Sequence, residues 1–138
     1  MLRPAIVMAA EFTCTTVPSM NVDAAAFSKR WARHWNAHDV DAVLGDFHDD
    51  VVFTSPVAAE LLPETQGVVR GKAALRRHWV AALERIPDLR FTVEGLYQGV
   101  NTIVITYRSQ NDNLVNEVLT FEDGVVVEGH GTYRSAGS

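Results

Sequence analysis

Pro87 divides the chain into two kinds of hydrophobic pattern, and that division limits the folds open to it. Beyond it, "LRFTVEGLYQG", "NTIVITYRSQ", "LVNEVLTFE" and "VVVEGHGTYR" alternate apolar and polar residues, the period of half-buried strands. The connections "QGVN", "QNDN" and "EDG" are short and built from hairpin residues, so the four strands read as an antiparallel meander. Before Pro87 the period is 3.6. Asn21 or Asp23 caps "AAAFSKRWARHWNAH", with Phe27, Trp31, His34/Trp35 and His38 on one stripe. Asp39 caps "VDAVLGDF", which groups Val40, Val43, Leu44 and Phe47, and "GKAALRRHWVAALERI" carries Leu75, Trp79, Ala82 and Leu83. Between these helices "VVFTSP" is a strand stopped by Pro56, and residues 57–70 read as a loop or broken helical turn. Three helices followed by a meander predict an α+β domain with the helices packed on one face of the sheet.

The 138 residues suit one domain, and 47% hydrophobic with 21% charged residues is a soluble globular composition. A net charge of −5 without any basic stripe argues against a nucleic-acid partner. The single cysteine, Cys14, excludes an internal disulfide framework and a multi-cysteine zinc site. Residues 1–20 read as a loosely ordered extension to a domain over residues 21–138, and Met20 competes with Met1 as the start. The apolar run after Arg3 is broken by Pro4 and ends at Glu11, too short for a secretory leader, and no segment has the roughly 20 apolar residues of a membrane span. The expectation is a cytoplasmic protein with no membrane contact.

The polar stretch "RHWNAHDVDAVLGDFHDDVVFTSP" poses the first functional question. His34 and His38 stand at i, i+4, a spacing that can bind zinc, but the glutamate of an "HExxH" helix is absent. We read the stretch as scaffold: Asp39 caps a helix, His34 makes one hydrogen bond from a helix face, His48 faces solvent, and Asp49 and Asp50 lead from helix into strand. No metal and no cofactor is expected. The chemistry falls instead on strand faces, where side chains alternate. Val51, Phe53 and Ser55 share one side of the first strand. In "LVNEVLTF", Glu117 points the same way as Val115, Leu119 and Phe121, so its ionisation is disfavoured and its pKa should rise. It is either a pocket acid or a structural carboxyl bridged to a core Arg or Trp N–H. In "VVVEGHGTY", Val127, Gly129, Gly131 and Tyr133 share a face, and the glycines leave room for a ligand or let the strand bend. His130 points the other way unless a bulge reverses it, and stands as a second acid/base candidate. Trp31, Trp35 and Trp79 lie on inward helix faces, as core or as ligand wall.

The order of elements, with "WNAHDVDAVLGDFHDDVVFTSP", "GVVRGKAALRRHW" and "VLTFEDGVV", resembles the nuclear transport factor 2-like superfamily, in particular its SnoaL-like and ketosteroid-isomerase-like branches, over residues 22–134. The resemblance implies a cone: a strongly bent antiparallel or mixed sheet wrapping the first helix, open at one end to a small ligand. Its isomerase pattern carries over only in part. Ser55 occupies the place of the general base, Trp31 that of the oxyanion-hole tyrosine, and Glu117 that of the second acid. The ligand so implied is small and apolar or aromatic, in a wall of Trp31, Trp35, Phe53, Ser55, Trp79, Gly129, Gly131 and Tyr133. The resemblance also implies a homodimer through the convex face bearing Val104, Thr106, Arg108, Val118, Thr120 and Thr132. Function is left between two classes: an isomerase, cyclase or hydrolase acting on a small apolar carbonyl compound with Glu117 as acid, and a non-catalytic binding or regulatory module.

Overall fold

The computed structural model describes residues 22–136, so Cys14, Met20 and the expected extension lie outside the described residues. Among the described residues there are four α-helices and six strands. In chain order they are α1 (Ala24–Asn36), α2 (Val40–Leu44), β1 (Phe47–Thr54), α3 (Pro56–Leu61), β2 (Val68–Arg70), α4 (Lys72–Arg85), β3 (Thr92–Gln98), β4 (Thr102–Arg108), β5 (Leu114–Glu122) and β6 (Val125–Tyr133). The α+β class and the four-strand meander are both present.

Helix α3 corrects the expected count of three. It starts where β1 stops: Ser55 Oγ accepts from Val57 N–H at 3.1 Å, and Pro56 takes the first helical position, where its missing N–H is no loss. Helix α2 is shorter than expected, so Phe47 opens β1 and Asp49 and Asp50 lie within the strand. Asp23 caps α1 by accepting from Ala26 N–H at 3.0 Å, and Asp39 caps α2 by accepting from Ala42 N–H at 3.0 Å. His38 turns the chain between those helices with φ 59°, and its Nε2 meets Leu89 O at 2.9 Å. His48 is exposed, with Nδ1 accepting from Asp50 N–H. His34 differs from expectation: its Nδ1 is buried without a hydrogen-bond partner.

The sheet is curved and open, in the order β2-β1-β6-β5-β4-β3. All neighbours are antiparallel except β1 and β6, which run parallel. The inner face alternates as the period-2 pattern requires: Ile103, Ile105 and Tyr107 on β4, and Val115, Glu117, Leu119 and Phe121 on β5, are all buried. On β6 the alternation breaks once. Thr120 pairs with Glu128 but Phe121 pairs with Val126, a bulge that turns Val126 inward in place of the expected Val127.

Helix α1 supplies Phe27, Trp31 and Trp35 to the core, each worth about 2–3 kcal/mol of apolar burial. Its last residue fixes the segment after α4: Asn36 Nδ2 donates to Phe91 O at 2.9 Å, and Phe91 N–H donates to Asn36 Oδ1 at 2.7 Å. This two-way clamp holds Phe91 against Trp31 and Tyr107, with ring centroids 5.6 and 4.3 Å away. Arg30 makes a bidentate pair with Asp46 at 3.1 Å, tying α1 to the start of β1.

Candidate functional site

Register lays the inner face of the sheet out in rows. One row runs Ile103, Leu119, Gly129, Phe53; the next runs Ile105, Glu117, Gly131, with Ser55 beside it at the end of β1. The two rows differ in what their glycine excludes. A Cβ on Gly129 would lie 2.9 Å from Phe53 Cδ1 and 3.1 Å from Leu119 Cδ2, so this glycine exists for close packing. A Cβ on Gly131 would stand 3.6 Å from Ser55 Oγ and 3.7 Å from Glu117 Oε1, an ordinary contact distance. At Gly131 the wall opens, and a cavity of about 190 Å³ begins.

Glu117 is 5% exposed and receives one hydrogen bond, from Tyr107 Oη at 3.4 Å. Burial pushes its carboxyl up to about 8, against a smaller lowering by the Tyr107 hydrogen bond. The carboxyl is therefore protonated at neutral pH and able to donate. Among the described residues neither structural bridge considered for it is present: its partner is a phenol, and the Trp31 and Trp35 indole nitrogens are buried without partners. Tyr107 is itself raised well above the usual phenol range by burial and then by the Glu117 charge. Tyr133 is raised by burial, then by Glu117, with the Ser55 hydroxyl opposing.

Of the expected wall, Trp35, Phe53, Ser55, Trp79, Gly131 and Tyr133 line the cavity together with Glu117. Trp35 and Trp79 meet edge to face at 4.8 Å, and Trp79 packs likewise on Phe53 at 5.4 Å. Three expected residues fall elsewhere. Trp31 is sealed in the core against Phe91 and Tyr107, one helical turn from the opening. Gly129 has its space taken by Phe53 and Leu119. His130 lies on the outer face, because the bulge precedes it and leaves its alternation intact. There its Nδ1 meets Thr54 Oγ1 at 2.6 Å and its Nε2 meets Glu128 Oε2 at 3.3 Å. That placement removes it from any chemistry in the cavity.

Sequence reading missed His78. It lies on α4, is 2% exposed, lines the cavity, and leaves Nδ1 buried without a partner. An unpaired buried polar atom of this kind costs about 1–3 kcal/mol. Desolvation lowers its pKa, which keeps the ring neutral. The signal was present in the stripe Leu75, His78, Trp79, Ala82, all buried at spacings of three and four, but "RRHW" reads as a polar run. Among the described residues lining the cavity, Glu117 is the sole carboxylate and there is no Lys or Arg. Among the described residues no three His, Cys, Asp or Glu side chains are placed to hold a metal, and no helix is long and apolar enough to cross a membrane.

Residues 28–137 match the family model of the SnoaL-like domain, and the chain belongs to that family. A SnoaL-like protein of Burkholderia thailandensis is 36% identical with a TM-score of 0.77, over 81% of this chain and 94% of that one. Two other solved structures are similar in fold: TerC co-crystallised with polyporic acid (13% identity, TM-score 0.64, 80% and 91% of the chains) and a candidate polyketide cyclase of Sinorhizobium meliloti (14%, 0.63, 78% and 94%). No curated protein matches.

Proposed function

We propose that the cavity binds a small, uncharged, largely apolar carbonyl compound, and that Glu117 is the acid that meets the carbonyl. The observation that carries this reading is a buried carboxyl, pushed towards its neutral form, beside the gap at Gly131 between Ser55 and a largely apolar cavity. Aromatic rings from α1, β1 and α4 supply the apolar surface, and the lack of any lining cation disfavours an anionic ligand. As a neutral group Glu117 donates a hydrogen bond to the carbonyl oxygen; once ionised it accepts a proton from the carbon beside it. The chemistry this supports is isomerisation, cyclisation or hydrolysis by proton transfer. The candidate cyclase among the fold neighbours is consistent with that class.

A second reading is a ligand-binding or regulatory module without turnover. It is favoured by Ser55, a weak base already engaged as the cap of α3, and by Tyr107 as the sole side-chain hydrogen-bond partner of Glu117 among the described residues. Acetophenone in deuterated water separates the two. Under the catalytic reading the protein speeds deuterium entry at the methyl carbon, Glu117→Gln binds but does not exchange, and Glu117→Ala does neither. Binding by all three without exchange establishes the module, and equal affinity in all three overturns the role of Glu117.

The proposal extends to a homodimer through the outer face of the sheet, where Val104, Val118 and Thr120 are half-buried between polar side chains. Light scattering at micromolar concentration should give twice the chain mass of 15.2 kDa; the monomer mass would refute it.

A further inference from the structure

We infer that Glu128 and His130, on the outer face of the sheet, are half of a zinc site that two copies of the chain complete together. This rests on the homodimer proposed through that face, and adds to it the ion at its centre. The two residues stand at i, i+2 on β6, so their side chains leave the strand on one side. They are 51% and 34% exposed, and so are open to an ion from solvent. Glu128 Oε2 and His130 Nε2 lie 3.3 Å apart. That is longer than the about 2.7–2.9 Å of a direct charge-assisted hydrogen bond. It matches the edge of a tetrahedron whose bonds to zinc are about 2.0–2.1 Å long, an edge of about 3.3–3.4 Å.

The far side of the imidazole is fixed as a zinc ligand requires. His130 Nδ1 meets Thr54 Oγ1 at 2.6 Å. A hydroxyl accepts as well as donates, so the ring proton can rest on Nδ1, pointing at Thr54, and leave the Nε2 lone pair to the metal. One copy supplies two ligands where zinc takes four, and among the described residues no third His, Cys, Asp or Glu joins them. The place of the pair on the face supplies the rest. His130 is third in a row of six that crosses the sheet from Val68 on β2 to Tyr97 on β3, through Thr54, Val118 and Val104. A two-fold axis through the middle of the face therefore sets Glu128 and His130 of one copy against the same pair of the other. Packed sheets stand about 10 Å apart, a gap that two imidazoles with an ion between them fill. The pairing is also complementary in charge: each carboxylate meets an imidazole, and two carboxylates balance one Zn²⁺. The cations of the face stand apart, since Arg108 is paired with Glu94 and Arg70 is separated from Glu128 by Val52.

The test uses the full chain as Cys14→Ser, so that its single thiol does not take the metal, and reads zinc binding and mass together. Native mass spectrometry and equilibrium dialysis should find one zinc for two chains. Analytical ultracentrifugation should show the dimer at least about tenfold tighter with equimolar zinc than with EDTA. Cobalt in place of zinc should give the visible absorption of a tetrahedral nitrogen and oxygen site. His130→Ala and Glu128→Gln, changes at partly exposed positions outside the core, should each remove the zinc effect. His48→Ala, which deletes an exposed imidazole elsewhere, should keep it. No zinc bound, one zinc per chain, or a zinc effect that survives His130→Ala overturns the site. A dimer that forms equally well in EDTA also overturns it, and leaves the homodimer reading standing. A monomer with and without zinc overturns both.

Discussion

Gly129 and Gly131 sit two residues apart on the same face of the same strand, and they mark two different regions of the molecule. The row through Gly129 is closed by Phe53 and Leu119, and beyond it Phe121 packs edge to face on Phe27. The row through Gly131 opens between Ser55 and Glu117 onto the cavity. The same residue type thus serves close approach in one row and empty space in the next. Buried aromatic rings do likewise: Trp31 and Trp35 are neighbours on α1, yet one fills the core and the other borders a void. In the packed row a side chain contributes through its neighbours; in the open row it contributes through what it leaves unpaired.

The largest expected effect tests the packed side. Trp31→Ala removes an indole stacked on Phe91 and packed edge to face on Tyr107 and should lose about 3–5 kcal/mol in urea unfolding, while Trp35→Ala, beside existing space, should lose less. Equal losses would erase the distinction between the two tryptophans.

Next comes Glu117→Gln, where the open row should gain stability. The folded-state pKa of Glu117 is raised to about 8 from an ordinary 4.5, so its contribution is fully present below the unfolded value and is lost as pH rises through the folded one. The glutamine variant carries no such loss. It should overtake the wild type progressively, by about 2 kcal/mol between about pH 6 and pH 8, at about 1.4 kcal/mol per unit. Parallel stability curves would show that Glu117 is hydrated in solution.

The glycines give the third comparison, of similar or slightly smaller size. Gly129→Ala should lose about 1–3 kcal/mol through overpacking against Phe53 and Leu119. Gly131→Ala should change stability by less than about 1 kcal/mol while weakening probe binding, because its methyl group enters the space between hydroxyl and carboxyl. A reversal of that order in thermal melts would place the opening in the other row. The smallest effect belongs to the outer face. Glu128→Gln removes a half-exposed partner of His130 and should cost under about 1 kcal/mol, with probe binding unchanged.

The legible part of the sequence is set by the reach of each signal. Alternation acts over one strand, and it was enough to turn Glu117 inward and His130 outward. It failed at Val127, where the bulge shifts the register by one residue, a feature set by the neighbouring strand. The order helix-helix-strand-helix-strands was legible, but β2, inside the expected loop 57–70, was not. Helix α3 was hidden because Pro56 reads as a stop to β1, although Ser-Pro is also a helix start. The split between Trp31 and Trp35, and between Gly129 and Gly131, depends on where packing across the sheet runs out. That is a property of pairs of residues from distant segments, and no local pattern encodes it.

The position of β6 bears on how the domain comes into being during synthesis. The last strand of the described residues lies not at an edge but between β1 and β5, and its parallel pairing with β1 joins the early part of the chain to the meander. Until β6 leaves the ribosome, β1 and β2 are not joined to the meander, although α1 already has β3 to pack on. Assembly is therefore governed by contacts between the two ends of the domain, which are slow to form because a long loop must close first. A nascent chain halted before Val125 would present two separate edges, on β1 and β5, both open to pairing with other chains.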